Sequence, residues 1–327
     1  MLVDGYDVLL LDLDGVVYSG KVGVPGAAEA LGRVRGSGKR LAFVTNNASR
    51  TPGAVAALLC AVGVPAEVED VVTSAQAAAR LLAEELEPGA KVLVVGGMGL
   101  RQALYARGLR PVSTAAEEPV AVVQGFDPRL DYGQLAQGAI AVQRGALFVA
   151  SNRDLSIPDG SGPPKPGNGA LTEVIRSSTG IDPIVTGKPE TPLHRESILR
   201  TGAERPLVVG DRLDTDIEGA YNGKADSLLV FTGVTDPLMA LTAPVEHRPT
   251  HLSADLGGLL VDHPEAKRDG DAFTCGGWTA LWDWGVIKLS GDGDPWDGLR
   301  ALAAAAWRHP EPSPREAVEE ALSRLSL

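Results

Sequence analysis

The sequence predicts an α/β fold built on a parallel sheet, with a second α/β segment inserted into it and a small α/β module appended. Three observations predict it. Four short runs, Val8–Leu11, Leu41–Val44, Leu207–Val209 and Leu228–Phe231, are too short for helices and apolar on both alternating sets, as strands buried on both faces are. The strand pattern restarts in mid-chain at Lys91–Val95, Val120–Val123 and Leu147–Ala150. After His263 the composition changes, and all five tryptophans fall between Trp278 and Trp307.

Taken in order, Val8–Leu11 opens the sheet and runs into Asp12-Leu13-Asp14. Pro25–Gly36 reads as a helix with proline in its first turn and glycine at its end, which makes a strand–helix–strand unit with Leu41–Val44. A helix over Thr51–Val62 follows and stops at Gly63. The inserted segment has a helix at Tyr132–Arg144, and Ser151–Asn168, rich in Gly and Pro without period, reads as a loop. Leu207–Val209 and Leu228–Phe231 complete the sheet. Pro264–Asp271 reads as a charged linker, followed by one or two strands through Trp278–Leu289 and helices over Leu299–Trp307 and Ser313–Leu325. The tryptophans are expected to form the core of this module or its contact with the rest. These readings divide the chain into a core, 1–80 and 186–262, an insertion, 81–185, and an extension, 263–327.

With 327 residues, 44% of them hydrophobic, the chain can bury a sizeable core in two or three domains. A net charge of −12 argues against nucleic acid or an anionic membrane as partner, since both need a basic footprint. Any anionic ligand must be held by a local site. No apolar run approaches the roughly 20 residues that span a bilayer, and no basic segment with an apolar signal core opens the chain, so a soluble cytoplasmic protein is expected. Cys60 and Cys275 lack metal-ligand spacing and read as buried thiols of a reduced compartment. The turn Val94–Gly99 lacks the spacing of a dinucleotide fingerprint. His247 and His251 are separated by Pro249, which argues against a shared helical face for zinc. Self-association into a homo-oligomer is left open.

The residues that carry chemistry stand at predicted strand ends. Asp12 and Asp14 close the first strand, Thr45-Asn46-Asn47 the second, and Gly210-Asp211 the strand at 207–209, with Asp216 just after; Gly187-Lys188-Pro189 follows the insertion. Ligands of open parallel sheets bind beyond the carboxyl ends of the strands, so these groups should converge. Asp12 and Asp211 offer hard oxygen ligands suited to Mg2+, and a carboxylate such as Asp12 can also attack phosphorus. Asp14 is placed to exchange a proton with the leaving alkoxide and then with water. Lys188 and Thr45 offset charge on phosphoryl oxygens, and Asp216 supports the site from behind the ligands or caps the helix near Ile217. Every such residue precedes position 264, so the extension is expected to be dispensable for the site.

The strings LDLDGVVYSG, FVTNNASRT, VTSAQAAARLL, VVQGFD, ASNRDLSIP, GNGAL, VTGKPE and VVGDRLDTDI, in this order from Tyr6 to Leu260, resemble the haloacid dehalogenase (HAD) superfamily. The resemblance is to its subclass IIA phosphatases, a group that includes glycerol-phosphate and phosphoglycolate phosphatases. It implies a Rossmann-like parallel-sheet core with an inserted C2-type cap that closes over the site and reads the leaving group. It implies Asp12 as nucleophile, Asp14 as general acid and base, Thr45, Asn46 and Lys188 on phosphate, a metal set of Asp12, Asp14 and Asp211, and Asp216 in support. Asn152-Arg153-Asp154 matches a cap Asn-Pro-Asp element, with arginine in the middle place, and is the candidate for substrate specificity. The extension is implied to be an incomplete acetyltransferase-like region. The expected activity is Mg2+-dependent hydrolysis of a small phosphate ester, glycerol 3-phosphate first and 2-phosphoglycolate second. A phosphate-binding regulatory protein without turnover is the non-enzymatic alternative, and a carbon–halogen hydrolase is disfavoured by Asp14.

Overall fold

In the computed structural model, which describes residues 1–159 and 162–327, the run Val8–Leu11 is a strand buried at all four positions. It pairs in parallel with Pro206–Gly210, which pairs with Asp226–Val230, which pairs with His251–Ser253. These strands belong to a compact unit made of Met1–Tyr18, Gly23–Leu41 and Glu204–Leu327. The helix expected over Pro25–Gly36 spans Ala27–Gly36; Gly26, at φ 77°, stands at its N-cap, so Pro25 lies ahead of the first turn.

The extension belongs to the same unit. It is a four-stranded antiparallel sheet, Lys267–Asp269, Ala272–Cys275, Trp278–Asp283 and Val286–Gly291, carrying helices Pro295–Ala306 and Arg315–Leu322. The sequence suggested one or two strands. Of the two missed strands, Lys267–Asp269 and Ala272–Cys275, the first is exposed throughout and held by backbone pairing, so no alternation of hydropathy announces it and the supposed linker is in part a sheet edge. Along Val286–Gly291, by contrast, Ile287 and Leu289 are buried while Val286 and Lys288 are exposed, as one-sided burial demands. Four tryptophans join the extension's core as expected, but Trp284 is fully exposed at a hairpin tip where its φ is 49°. The thiols divide: Cys275 is buried and Cys60, near the end of helix Pro52–Ala61, faces outward.

The second unit comprises Ser19–Val22 and Ala42–Ala203. Here Arg40–Thr45, whose first two residues still belong to the first unit, runs parallel to Val71–Thr73. A separate parallel sheet has the order Ile184–Val185, Leu147–Ala150, Ala121–Gln124, Lys91–Val95, Arg110–Val112. Period-two alternation splits its side chains between two cores. Val92, Val94, Ala121 and Val123 face one apolar cluster with Leu82, Leu100 and Leu104; Leu93, Val95, Val122 and Phe148 face another with Val142 and Ile175. The stretch expected as a loop contains an antiparallel ribbon, Ser156–Asp159 with Gly162–Pro166. Both strands of a lone two-stranded ribbon are edge strands, where proline is tolerated, so its Pro-rich composition hid it. Among the described residues no helix is long and apolar enough to cross a membrane.

Candidate active site

The carboxylates of the first unit are placed by strand register. Leu11 lies opposite Val209, and the next residue continues the ladder through the Asp12 N–H to Val209 O at 2.8 Å. Asp12 and Asp211 therefore leave neighbouring strands side by side. Residues 213–217 form one turn of π-helix that returns Asp216, whose Oδ2 accepts from the Arg212 N–H at 3.2 Å. One carboxylate oxygen from each of Asp12, Asp211 and Asp216 lies within 4.8 Å of the others, and Asp211 and Asp216 are only 1% exposed. Asp211 is gripped from beyond the next strand: its Oδ2 accepts from the Val234 N–H at 2.8 Å, and its carbonyl accepts from the Thr235 hydroxyl at 2.6 Å. A Cβ on Gly233, or on Gly15 at φ 86°, would run into the Asp211 carboxylate, which explains glycine at both places.

Asp14 is not one of the three. Its side chain is exposed, one residue beyond buried Leu13, while Asp216, expected from sequence to stand behind the ligands, is a full member of the trio.

The second unit gathers the other expected residues around Asn46. Its Oδ1 accepts from the Lys188 backbone N–H at 2.7 Å, and its Nδ2 donates to Lys188 O at 3.1 Å and to both Asp154 carboxylate oxygens at 3.3 Å. Its carbonyl accepts from Ser74 Oγ and from Asn152 Nδ2, both at 2.7 Å. Thr45, at the end of its strand, is buried, and its hydroxyl accepts from the Asn47 N–H at 3.1 Å. Lys188 Nζ donates to Val44 O at 3.3 Å. Asn152 Oδ1 accepts from the Asp154 N–H at 3.1 Å, a local turn that fixes the loop. Arg153 points elsewhere, to Asp182 at 3.4 Å, in a pair more than half exposed on both sides.

Residues 9–110 match the haloacid dehalogenase-like hydrolase family, residues 185–259 a HAD-hydrolase-like pattern, and residues 275–327 a GCN5-related N-acetyltransferase-like domain. The chain is 43% identical to the D-glycerol 3-phosphate phosphatase of Mycobacterium tuberculosis, over 98% of this chain and 94% of that protein. This chain belongs to the haloacid dehalogenase-like hydrolase family. A crystal structure of glycerol phosphate phosphatase from Mycobacterium tuberculosis in complex with magnesium superimposes with a TM-score of 0.89 at 41% identity, covering 99% of this chain and 98% of that one. The 5'-nucleotidase YutF of Bacillus subtilis is 39% identical over 75% of this chain and 94% of its own length.

For this HAD-like hydrolase, sequence reasoning found the strand-end carboxylates and the lysine but missed the segment 232–235, in which Thr232 bonds Gly15 and Val234 and Thr235 hold Asp211, and Ser74, which holds Asn46. A Thr-Gly-Val-Thr run after a predicted strand was the available signal. Glycine there marks a close backbone approach, but only the fold says to what.

Proposed function

We propose that this chain is a magnesium-dependent phosphatase of small phosphate monoesters and that glycerol 3-phosphate is its substrate. The observation that carries the reading is the trio Asp12, Asp211 and Asp216, with oxygens within 4.8 Å of one another. Carboxylates held this close repel one another and are costly to desolvate unless a cation neutralises them. A small all-oxygen donor set fits Mg2+, which retains waters and reaches a substrate phosphate. When bound, the ion supplies positive charge to the phosphoryl oxygens. The substrate assignment is supported by likeness to a D-glycerol 3-phosphate phosphatase over 98% of this chain, extension included.

In this reading a carboxylate oxygen of Asp12 attacks phosphorus and the ester bond breaks, leaving an aspartyl-phosphate. Asp14 gives its proton to the departing alkoxide, then takes one from the water that releases phosphate and restores Asp12. The exposure of Asp14 suits this proton exchange. Thr45, Asn46 and Lys188 engage the phosphoryl oxygens, the lysine as countercharge. Residues 81–185 serve as the cap that reads the leaving group. Asn152 and Asp154 take that role in preference to Arg153, whose guanidinium is paired with Asp182. We assign the protein to the cytoplasm, where the free thiols Cys60 and Cys275 suit a reducing compartment.

Phosphate release should be measured from glycerol 3-phosphate, 2-phosphoglycolate, a 5'-nucleotide, a sugar phosphate and a nitrophenyl ester, with Mg2+ and with EDTA. The expected result is Mg2+-dependent turnover with the highest kcat/KM for glycerol 3-phosphate. Turnover unchanged by EDTA overturns the metal assignment, and a higher kcat/KM for another ester reassigns the substrate.

A further inference from the structure

The segment that grips Asp211 is itself held by the C-terminal extension. Between strand Asp226–Val230 and helix Pro237–Leu241, Thr232 donates its hydroxyl to Gly15 O at 2.5 Å, Gly233 lies against the Asp211 carboxylate, and Val234 and Thr235 bond Asp211 directly. At the near end of this segment, Phe231 stacks on Trp296 of the extension, with ring centroids 5.5 Å apart and planes 29° apart. At the far end, helix Pro237–Leu241 packs against both helices of the extension, and Trp307 donates its indole N–H to Ala240 O at 3.1 Å. Leu213 and Ile217, on the turn that carries Asp216, share one apolar cluster with Leu241, Leu299, Leu302 and Val318. The guanidinium of Arg248 adds bonds to the carbonyls of Trp307, His309, Pro310 and Glu311.

We propose that the extension is a positioning element for the metal site: Trp296 and Trp307 clamp the two ends of residues 231–241 so that the Val234 N–H holds the Asp211 carboxylate in one orientation while Thr235 anchors the Asp211 backbone carbonyl. The proposal rests on the reading of Asp12, Asp211 and Asp216 as magnesium ligands. It revises the expectation that residues 264–327 are dispensable because no ligand lies in them. The clamp acts through backbone geometry, since a segment fixed at both ends has little freedom to withdraw a donor from Asp211. Its loss leaves every ligand present but lets Asp211 sample orientations that do not bind, which raises the apparent dissociation constant of the metal by the reciprocal of the fraction of time spent in the binding orientation.

The test is magnesium binding to the full-length protein by titration calorimetry, alongside the Mg2+ concentration that gives half-maximal phosphatase activity. Trp296→Ala is expected to weaken both by roughly three- to tenfold, the worth of a stacked aromatic pair. Trp296→Phe, which can still stack, should restore most of the loss. Phe231→Leu removes the stack from the other side while leaving every residue of the extension unchanged, and should weaken magnesium equally. Trp282→Ala is the control, because that ring packs on Arg308 and bonds Ala305 instead of the 231–241 segment; it should lower stability and leave magnesium affinity alone. Unchanged magnesium affinity in both Trp296→Ala and Phe231→Leu, or an equal loss in Trp282→Ala, overturns the clamp. If Asp211→Asn binds magnesium as well as the wild-type protein does, the metal reading itself fails, an outcome distinct from the other two.

Discussion

At the scale of single residues, the site separates charge that must be held from charge that must exchange. Asp211 and Asp216 are buried and bonded to backbone N–H groups, which fixes them as acceptors, whereas Asp14 is exposed and can trade protons with solvent. Asp12 is common to both tasks. Replacing it by asparagine removes the nucleophilic anion with little change of volume, so Asp12→Asn is expected to abolish turnover while circular dichroism and the melting temperature stay near wild type. Measurable steady-state turnover by that variant would sink the covalent mechanism. Asp14→Asn should slow hydrolysis of an alkyl phosphate by roughly 10²–10⁴-fold and that of a nitrophenyl ester much less, because the latter leaving group needs no proton. Equal losses on the two esters would remove Asp14 from the acid role.

At the scale of elements, the second unit is braced by a buried charge. Glu196, with no exposed surface, accepts from Arg80, Arg107 and Arg200, which join its own helix Thr191–Thr201 to Ser74–Glu85 and to the end of Met98–Ala106. Removing one partner of a buried ion pair costs about 3–5 kcal/mol in general. The three arginines are 23–30% exposed and can turn to water, so Glu196→Ala should fall at the low end, about 3 kcal/mol in urea unfolding. A loss under 1 kcal/mol would show that water already does the work of the carboxylate. The loop at 152–154 is braced in a different way, by Asn46 and Asn168 bonding its backbone and side chains. If the Asp154 carboxylate also meets substrate hydroxyls, Asp154→Ala should lower kcat/KM for glycerol 3-phosphate by roughly ten- to a hundredfold more than for a nitrophenyl ester. A uniform loss would instead assign Asp154 to holding Asn46 and the Lys188 backbone in place.

At the scale of the molecule, the extension and the strand-bearing part of the first unit share one apolar cluster, and a second, partly buried network of polar groups lies in the same unit. Tyr6 donates its hydroxyl to Asp226 at 2.9 Å and accepts from His251 Nε2 at the same distance; the His251 ring stands edge-on to His263, whose Nδ1 lies 3.5 Å from the Arg300 guanidinium. Burial, then the neighbouring His263, push the His251 pKa down to about 4, and burial together with Arg300 lowers that of His263. A histidine whose folded value lies below its unfolded value of about 6.5 takes up protons more readily when unfolded, so stability rises with pH across that interval. The melting temperature is therefore expected to fall as pH drops from 7 towards 4, and His251→Asn should flatten the decline below pH 6.5. An unchanged slope in that variant would remove His251 from the groups that govern acid stability.

The sequence by itself determined the parallel strands, the strand-end carboxylates, the lysine and the family, because each is a local pattern: an apolar run of strand length, or charge where burial would otherwise forbid it. Its order of motifs carried the phosphatase reading. Tertiary structure alone decided the rest. Asp216 joined the carboxylate trio through a π-turn that no periodicity encodes. Asn46 became the hub of the second-unit residues because partners at 152–154 and 188 fold back to it from more than a hundred residues away. The edge strand Lys267–Asp269 and the Pro-rich ribbon were hidden because they bury little and are held by backbone bonds to which any side chain is nearly indifferent. The extension's grip on residues 231–241 was invisible for a related reason: stacking and apolar contact fix only that aromatic and aliphatic residues will be covered, and the folded chain chooses what covers them.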